Sequence, residues 1–215
     1  MKTEEMDFIK QKLTDASYEL PYNTLQEIFE IEKLSDELLE FILDLKDNLI
    51  IIEFLNGYQY FSQSQLDRIE GFIENNLTNN DKLFVSELIA VANKWNITSI
   101  YDSCMSFINN EEEDSLVILE SIYMIVEHID LDIIEEVFDS LNHIINSKLY
   151  YQNCQLVAAF YLLRLSGHEK YFNDVVDYVE NGQALNKDIL ANLLGIEYNQ
   201  GRYFSYYDQL ITLTK

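Results

Sequence analysis

A chain of 215 residues that is 48% hydrophobic and 13% aromatic can bury a sizeable core in one or two domains, which excludes the disordered acidic class. Its 38 acidic and 14 basic residues give a formal charge of −24, a field that repels nucleic acid and anionic membrane and suits a cationic protein partner. One Pro and six Gly are too few for the turns of an all-β fold, no segment approaches the ~18 apolar residues of a membrane span, and residues 1–15 lack a signal-peptide core, so the expected location is cytoplasmic.

At the N-terminus, Met6, Ile9 and Leu13 spaced among charges predict a short amphipathic helix over residues 4–16. After Pro21, Thr24 with Glu27 three residues on reads as a capping box that starts a second helix running to about Lys33. Ser35 is the expected cap of a third, with Leu38, Leu39, Ile42 and Leu45 inward. The run 49–55 (LIIIEFL), then Asn56-Gly57, then Tyr58-Gln59-Tyr60-Phe61, has two readings. Consecutive β-branched residues around Asn-Gly point to a hairpin over 49–55 and 58–61 with a type I′ turn; alternatively, the third helix continues to Leu55 and Gly57 caps it.

The order helix, short extended piece, helix, helix, hairpin, carried by Ser35-Asp36-Glu37-Leu38-Leu39, Asn48-Leu49-Ile50 and the 56–61 segment, resembles the winged-helix repeats of bacterial selenocysteine-specific elongation factors over about residues 5–75. The resemblance implies a small α+β domain, 1–78, whose family reads nucleic acid with a basic third helix and wing. Here that helix carries Asp36, Glu37, Glu40, Asp44 and Asp47 against Lys46, so no nucleic-acid binding is expected and a protein-interaction role fits better.

Ser62 with Gln65 predicts a capped helix to about Asn76, and the linker-like residues 75–80 suggest a boundary near 78. From 79 to 215 every segment has helical periodicity. The segment 115–127, apolar on nearly all sides, reads as a central helix; 152–166, 168–180, 186–198 and 203–214 follow. Alternate helix starts near Asp81, Asp114, Asn153 and Asn186 recur at the period of stacked helical hairpins, and residues 158–168 (AAFYLLRLSGH) are similar to the first helix and turn of a HEAT-type repeat. The expected fold is thus mainly α: a winged-helix-like domain, 1–78, followed by a helical-repeat domain, 79–215, built as an α-solenoid or a compact bundle.

No catalytic, cofactor-binding or metal pattern emerges. His128, His143 and His168 lack the i, i+4 spacing of a metal pair, Cys104 and Cys154 read as buried free thiols, and Glu111 to Asp114 read as carboxylates at a helix start. The informative stretch lies between Lys94 and Lys148, where no Lys or Arg occurs while twelve acidic residues do. Glu113, Glu120 and Glu127, spaced by seven, with Asp132, Glu135, Glu136 and Asp139, form the expected partner-binding strip; Tyr203 and Tyr207 add a second candidate contact, exposed in part. The functional expectation is a non-enzymatic protein that binds a basic partner, most concretely an immunity protein or antitoxin neutralising a basic toxin; the alternative is a winged-helix adaptor or nucleic-acid mimic.

Overall fold

The computed structural model describes residues 3–15, 17 and 19–214. Among them, thirteen α-helices and two 3₁₀ turns make up the regular structure, and there is no strand. The chain divides into two compact units, Met1–Ile100 and Tyr101–Lys215.

The first unit contains α1 (Thr3–Leu13), α2 (Glu19–Phe29), α3 (Asp36–Leu43), α4 (Asn48–Gly57), α5 (Gln63–Asn76) and α6 (Lys82–Lys94). The expected first helix, 4–16, ends at Leu13; Ala16 lies outside the described residues. Pro21 stands inside the first turn of α2, where no backbone N–H is needed, and Thr24 is a buried mid-helix residue whose hydroxyl donates to Leu20 O at 2.8 Å rather than a cap. Ser35 does cap α3, accepting from Leu38 N at 3.3 Å. Before α5, Gln65 Oε1 accepts from Ser62 N at 3.0 Å, as half of a capping box does.

The winged-helix reading fails at residues 48–57, which form a helix instead of a hairpin strand. Asp47 Oδ1 caps it, accepting from Leu49 N at 3.0 Å and Ile50 N at 3.3 Å. Ile50, Ile51, Ile52, Phe54 and Leu55 are all buried, so α4 is apolar nearly all round and its burial overrides the strand preference of three consecutive Ile. Neither Asn56 nor Gly57 takes the positive φ that a type I′ turn requires. Residues 44–47 break the chain between α3 and α4, so it is also not one continuous helix.

Tyr58 then ties this unit together: wholly buried, its hydroxyl donates to Ile31 O at 2.9 Å and accepts from Leu34 N at 3.0 Å. The unit extends past residue 78 because α6 packs on α4 and α5, which places the division after Ile100.

The second unit contains α7 (Tyr101–Ile108), α8 (Ser115–Glu127), α9 (Ile134–Asn146), α10 (Gln152–Ser166), α11 (Glu169–Glu180), α12 (Leu185–Asn199) and α13 (Tyr207–Leu213). The helix at its centre is α10 rather than α8: it packs on α8, α9, α11 and α12, and every residue from Leu156 to Leu163 is buried. Gly167 ends it at φ 68°, a left-handed cap that a β-carbon would strain. In each unit the principal packing partners of a helix are its neighbours one or two places along the chain. Cys104 and Cys154 are buried free thiols, their pKa raised by burial to about 12.

Candidate functional site

The core of the acidic strip is built by one turn and one helix of the second unit. Asp130 caps the 3₁₀ turn Leu131–Ile133, which leads into α9. Along α9, Val137, Leu141 and Ile144 are buried, and this stripe fixes the rotation of the helix. Asp132, Glu135, Glu136 and Asp139, at i, i+3, i+4 and i+7, consequently share the outward side, and all four are exposed. Among the described residues no Lys, Arg or His forms an ion pair with any of them, whereas Glu27, Asp36, Glu37, Glu40, Glu111, Glu127 and Glu197 are paired. Glu136 adds its charge to the effect of burial in pushing the Tyr101 phenol up to about 12. Beyond Asp139 the face ends at His143, whose Nε2 lies 3.2 Å from Glu111 Oε1.

The line of Glu113, Glu120 and Glu127 does not continue this face. Glu113 precedes α8, and its Oε1 accepts from Asp114 N at 3.0 Å, while Asp114 caps α8 through Leu116 N at 2.8 Å. Glu120 is half-buried on α8.

Glu127 is turned to an internal ion cluster. Its Oε1 and Oε2 receive Arg202 Nη1 and Nη2 at 2.7 and 2.6 Å, a two-pronged pairing, and Arg164 Nη1 stands 3.2 Å from Oε1. Arg164 Nη1 also donates to Glu197 Oε1 at 2.8 Å, and its guanidinium lies 4.8 Å over the Tyr161 ring. Glu197 is fully buried, with Oε2 lacking a hydrogen-bond partner, so α8, α10, α12 and the turn after α12 meet at two Glu and two Arg of zero net charge. Burial works to raise the Glu127 carboxyl, but the hydrogen bonds and charge of Arg202, with Arg164, outweigh it and hold the group below its ordinary value. Glu127 is therefore a structural charge and leaves the partner-binding set.

Near residue 200, Tyr203 is exposed and packs edge to face with exposed Tyr198 at 6.2 Å. Tyr207 differs from expectation: it is buried, and its hydroxyl donates to Leu194 O at 2.9 Å. Before it, Tyr206 takes φ 73° at the start of α13 and stacks on Phe172 at 4.5 Å.

Of the nine sequence-derived contact residues, the structure gathers Asp132, Glu135, Glu136 and Asp139 on one surface and leaves Tyr203 exposed elsewhere. Sequence reading missed Arg164 and Arg202 because their pairing with Glu127 spans 37 and 75 positions. The available signal was a lone Arg in the otherwise apolar run of α10, where a buried cation requires a partner. Among the described residues, no group of His, Cys, Asp or Glu could hold a metal ion, and no helix is long and apolar enough to cross a membrane. No family model, no curated protein and no solved structure matches this chain.

Proposed function

We propose that this is a non-enzymatic binding protein whose α9 face receives a basic protein, as an immunity protein or antitoxin does when it neutralises a cationic toxin. The observation that carries the reading is the uncompensated set Asp132, Glu135, Glu136 and Asp139, exposed together on α9 and the turn before it, a helix whose other side is locked into the core. Like charges spaced four apart on a helix cost the free protein a few tenths of a kcal/mol per pair, and a cationic partner converts that cost into attraction. Packing between near neighbours along the chain supports a reading of the fold as stacked helical hairpins, a scaffold that presents such faces rigidly.

Capture from native lysate on the immobilised protein supplies the partner, and stopped-flow association across ionic strength then tests the face. Glu135→Lys with Asp139→Lys should slow association about tenfold or more at low salt and flatten its salt dependence, with helical content unchanged. Unchanged association and affinity would sink the proposal for this surface. Duplex DNA and structured RNA should show no saturable binding in the same buffer, since a binder gains affinity from cation contacts to phosphate that this face does not offer.

A further inference from the structure

In the first unit, α4 and α6 run side by side in the same direction. Their starts are joined by Asn48 Nδ2 donating to Asp81 Oδ2 at 3.1 Å, and their ends by Trp95 Nε1 donating to Leu55 O at 3.2 Å. Between them lies a groove of about 300 Å³. Ile52 and Phe84, both buried, form its floor. Leu49 and Leu83 stand on its two walls and are 50% and 59% exposed, a large apolar surface left open on either side of one cleft. The walls also carry Glu53 and Glu87, neither of which forms an ion pair with a described residue, and no Lys or Arg is among the described residues that line the groove. Lys94, at the far end, is engaged with the Asn56 carbonyl.

We propose that this groove is a docking site for a basic amphipathic segment of a protein partner, which seats a large apolar side chain between Leu49 and Leu83 and sets Lys or Arg against Glu53 and Glu87. Leu49, Ile52, Glu53 and Asn56 follow one another at i, i+3, i+4 and i+7, so the groove runs along about two helical turns, roughly 10 Å, and matches a helical ligand with anchors at the same spacing. The charge pattern selects the occupant: a second copy of this chain would bring a further −24 to two unpaired carboxylates, whereas a cationic segment neutralises them. The proposal rests on residues of the first unit alone and stands without the α9 reading.

Fluorescence anisotropy with the full chain tests the assignment, using a fluorescein-labelled helix-forming peptide that carries leucines on one face and lysines on the other. The control peptide replaces each leucine with serine. At about 0.15 M salt, where long-range attraction is screened, the leucine peptide should bind about tenfold or more tightly than the control. Leu49→Ser with Leu83→Ser should abolish that advantage. Glu53→Gln with Glu87→Gln, near-isosteric changes at two half-buried positions, should weaken the leucine peptide and flatten its salt dependence while helical content stays unchanged. Glu135→Lys with Asp139→Lys should leave the advantage in place, which separates this groove from the α9 face. Equal affinity for the two peptides, absence of saturable binding by the leucine peptide, or an advantage that survives both groove variants would overturn the proposal.

Discussion

Arg202 grips both carboxylate oxygens of Glu127, at 2.7 and 2.6 Å, across 75 positions of sequence. This contact changes the reading of the chain's most acidic stretch: a residue expected in the anionic strip is an internal charge, neutralised by cations from outside the stretch. It also leaves the exposed face to Asp132, Glu135, Glu136 and Asp139, a shorter and wholly solvent-facing surface.

Breaking the ion cluster should destabilise in proportion to the charge left stranded. Arg164→Met leaves the fully buried Glu197 without its closest cation and should cost about 3–5 kcal/mol in urea unfolding. Arg202→Ala should cost only about 1 kcal/mol, because its guanidinium is 40% exposed and water screens what remains. Equal losses for the two variants would refute this ordering.

Acid should weaken the second unit through Glu127. Its folded pKa lies below the ordinary 4.5, so its contribution is fully present above that value and is lost as pH falls through the lower folded pKa. Urea midpoints measured from pH 6 down to about pH 3 should fall, and Glu127→Gln should reduce the slope of that fall.

Alkali should act from the other side. Cys104, Cys154 and Tyr178 have pKa values raised by burial to about 12, so the folded chain keeps protons that the unfolded chain releases. Their contribution is complete below the ordinary thiol value of 9.0 and is lost as pH rises toward 12. Thermal unfolding should shift downward above about pH 9, with the thiolate absorbance of the two buried cysteines appearing together with unfolding rather than before it.

Tyr58→Phe removes one oxygen from a wholly buried site and strands two backbone groups, Ile31 C=O and Leu34 N–H. The expected loss is about 1–3 kcal/mol, read as a lower urea midpoint with unchanged slope. A loss below a few tenths would mean that water reaches these groups.

Asp139→Lys separates stability from binding on α9. It replaces a like-charge pair with Glu135 by an attractive pair in the favourable orientation, Glu before Lys, and should stabilise the free protein by about 0.5 kcal/mol. The same change should slow association with the basic partner. Loss of stability would show that Asp139 has a structural role which its exposure does not reveal.

Much of the helical order was legible from local chemistry. Ser35 and the carboxylates Asp81 and Asp114 announce the helices that follow them, because a side chain that satisfies the first N–H groups works wherever the helix is placed. The apolar periods of residues 115–127 and 152–166 matched α8 and α10 for the same reason. Residues 49–55 did not yield to such reading: three consecutive Ile favour a strand locally, and only burial on nearly all sides, within a unit tied together by Tyr58, makes them a helix. Tertiary structure also decided which acidic residues face water. Composition and spacing determined that Glu135, Glu136 and Asp139 of α9, with Asp132 in the turn before it, would share one side, but the fate of Glu127 depended on Arg164 and Arg202 arriving from later in the chain. Coulomb attraction acts through space and ignores sequence separation, so one carboxylate of a stretch without cations in sequence is neutralised by cations in space.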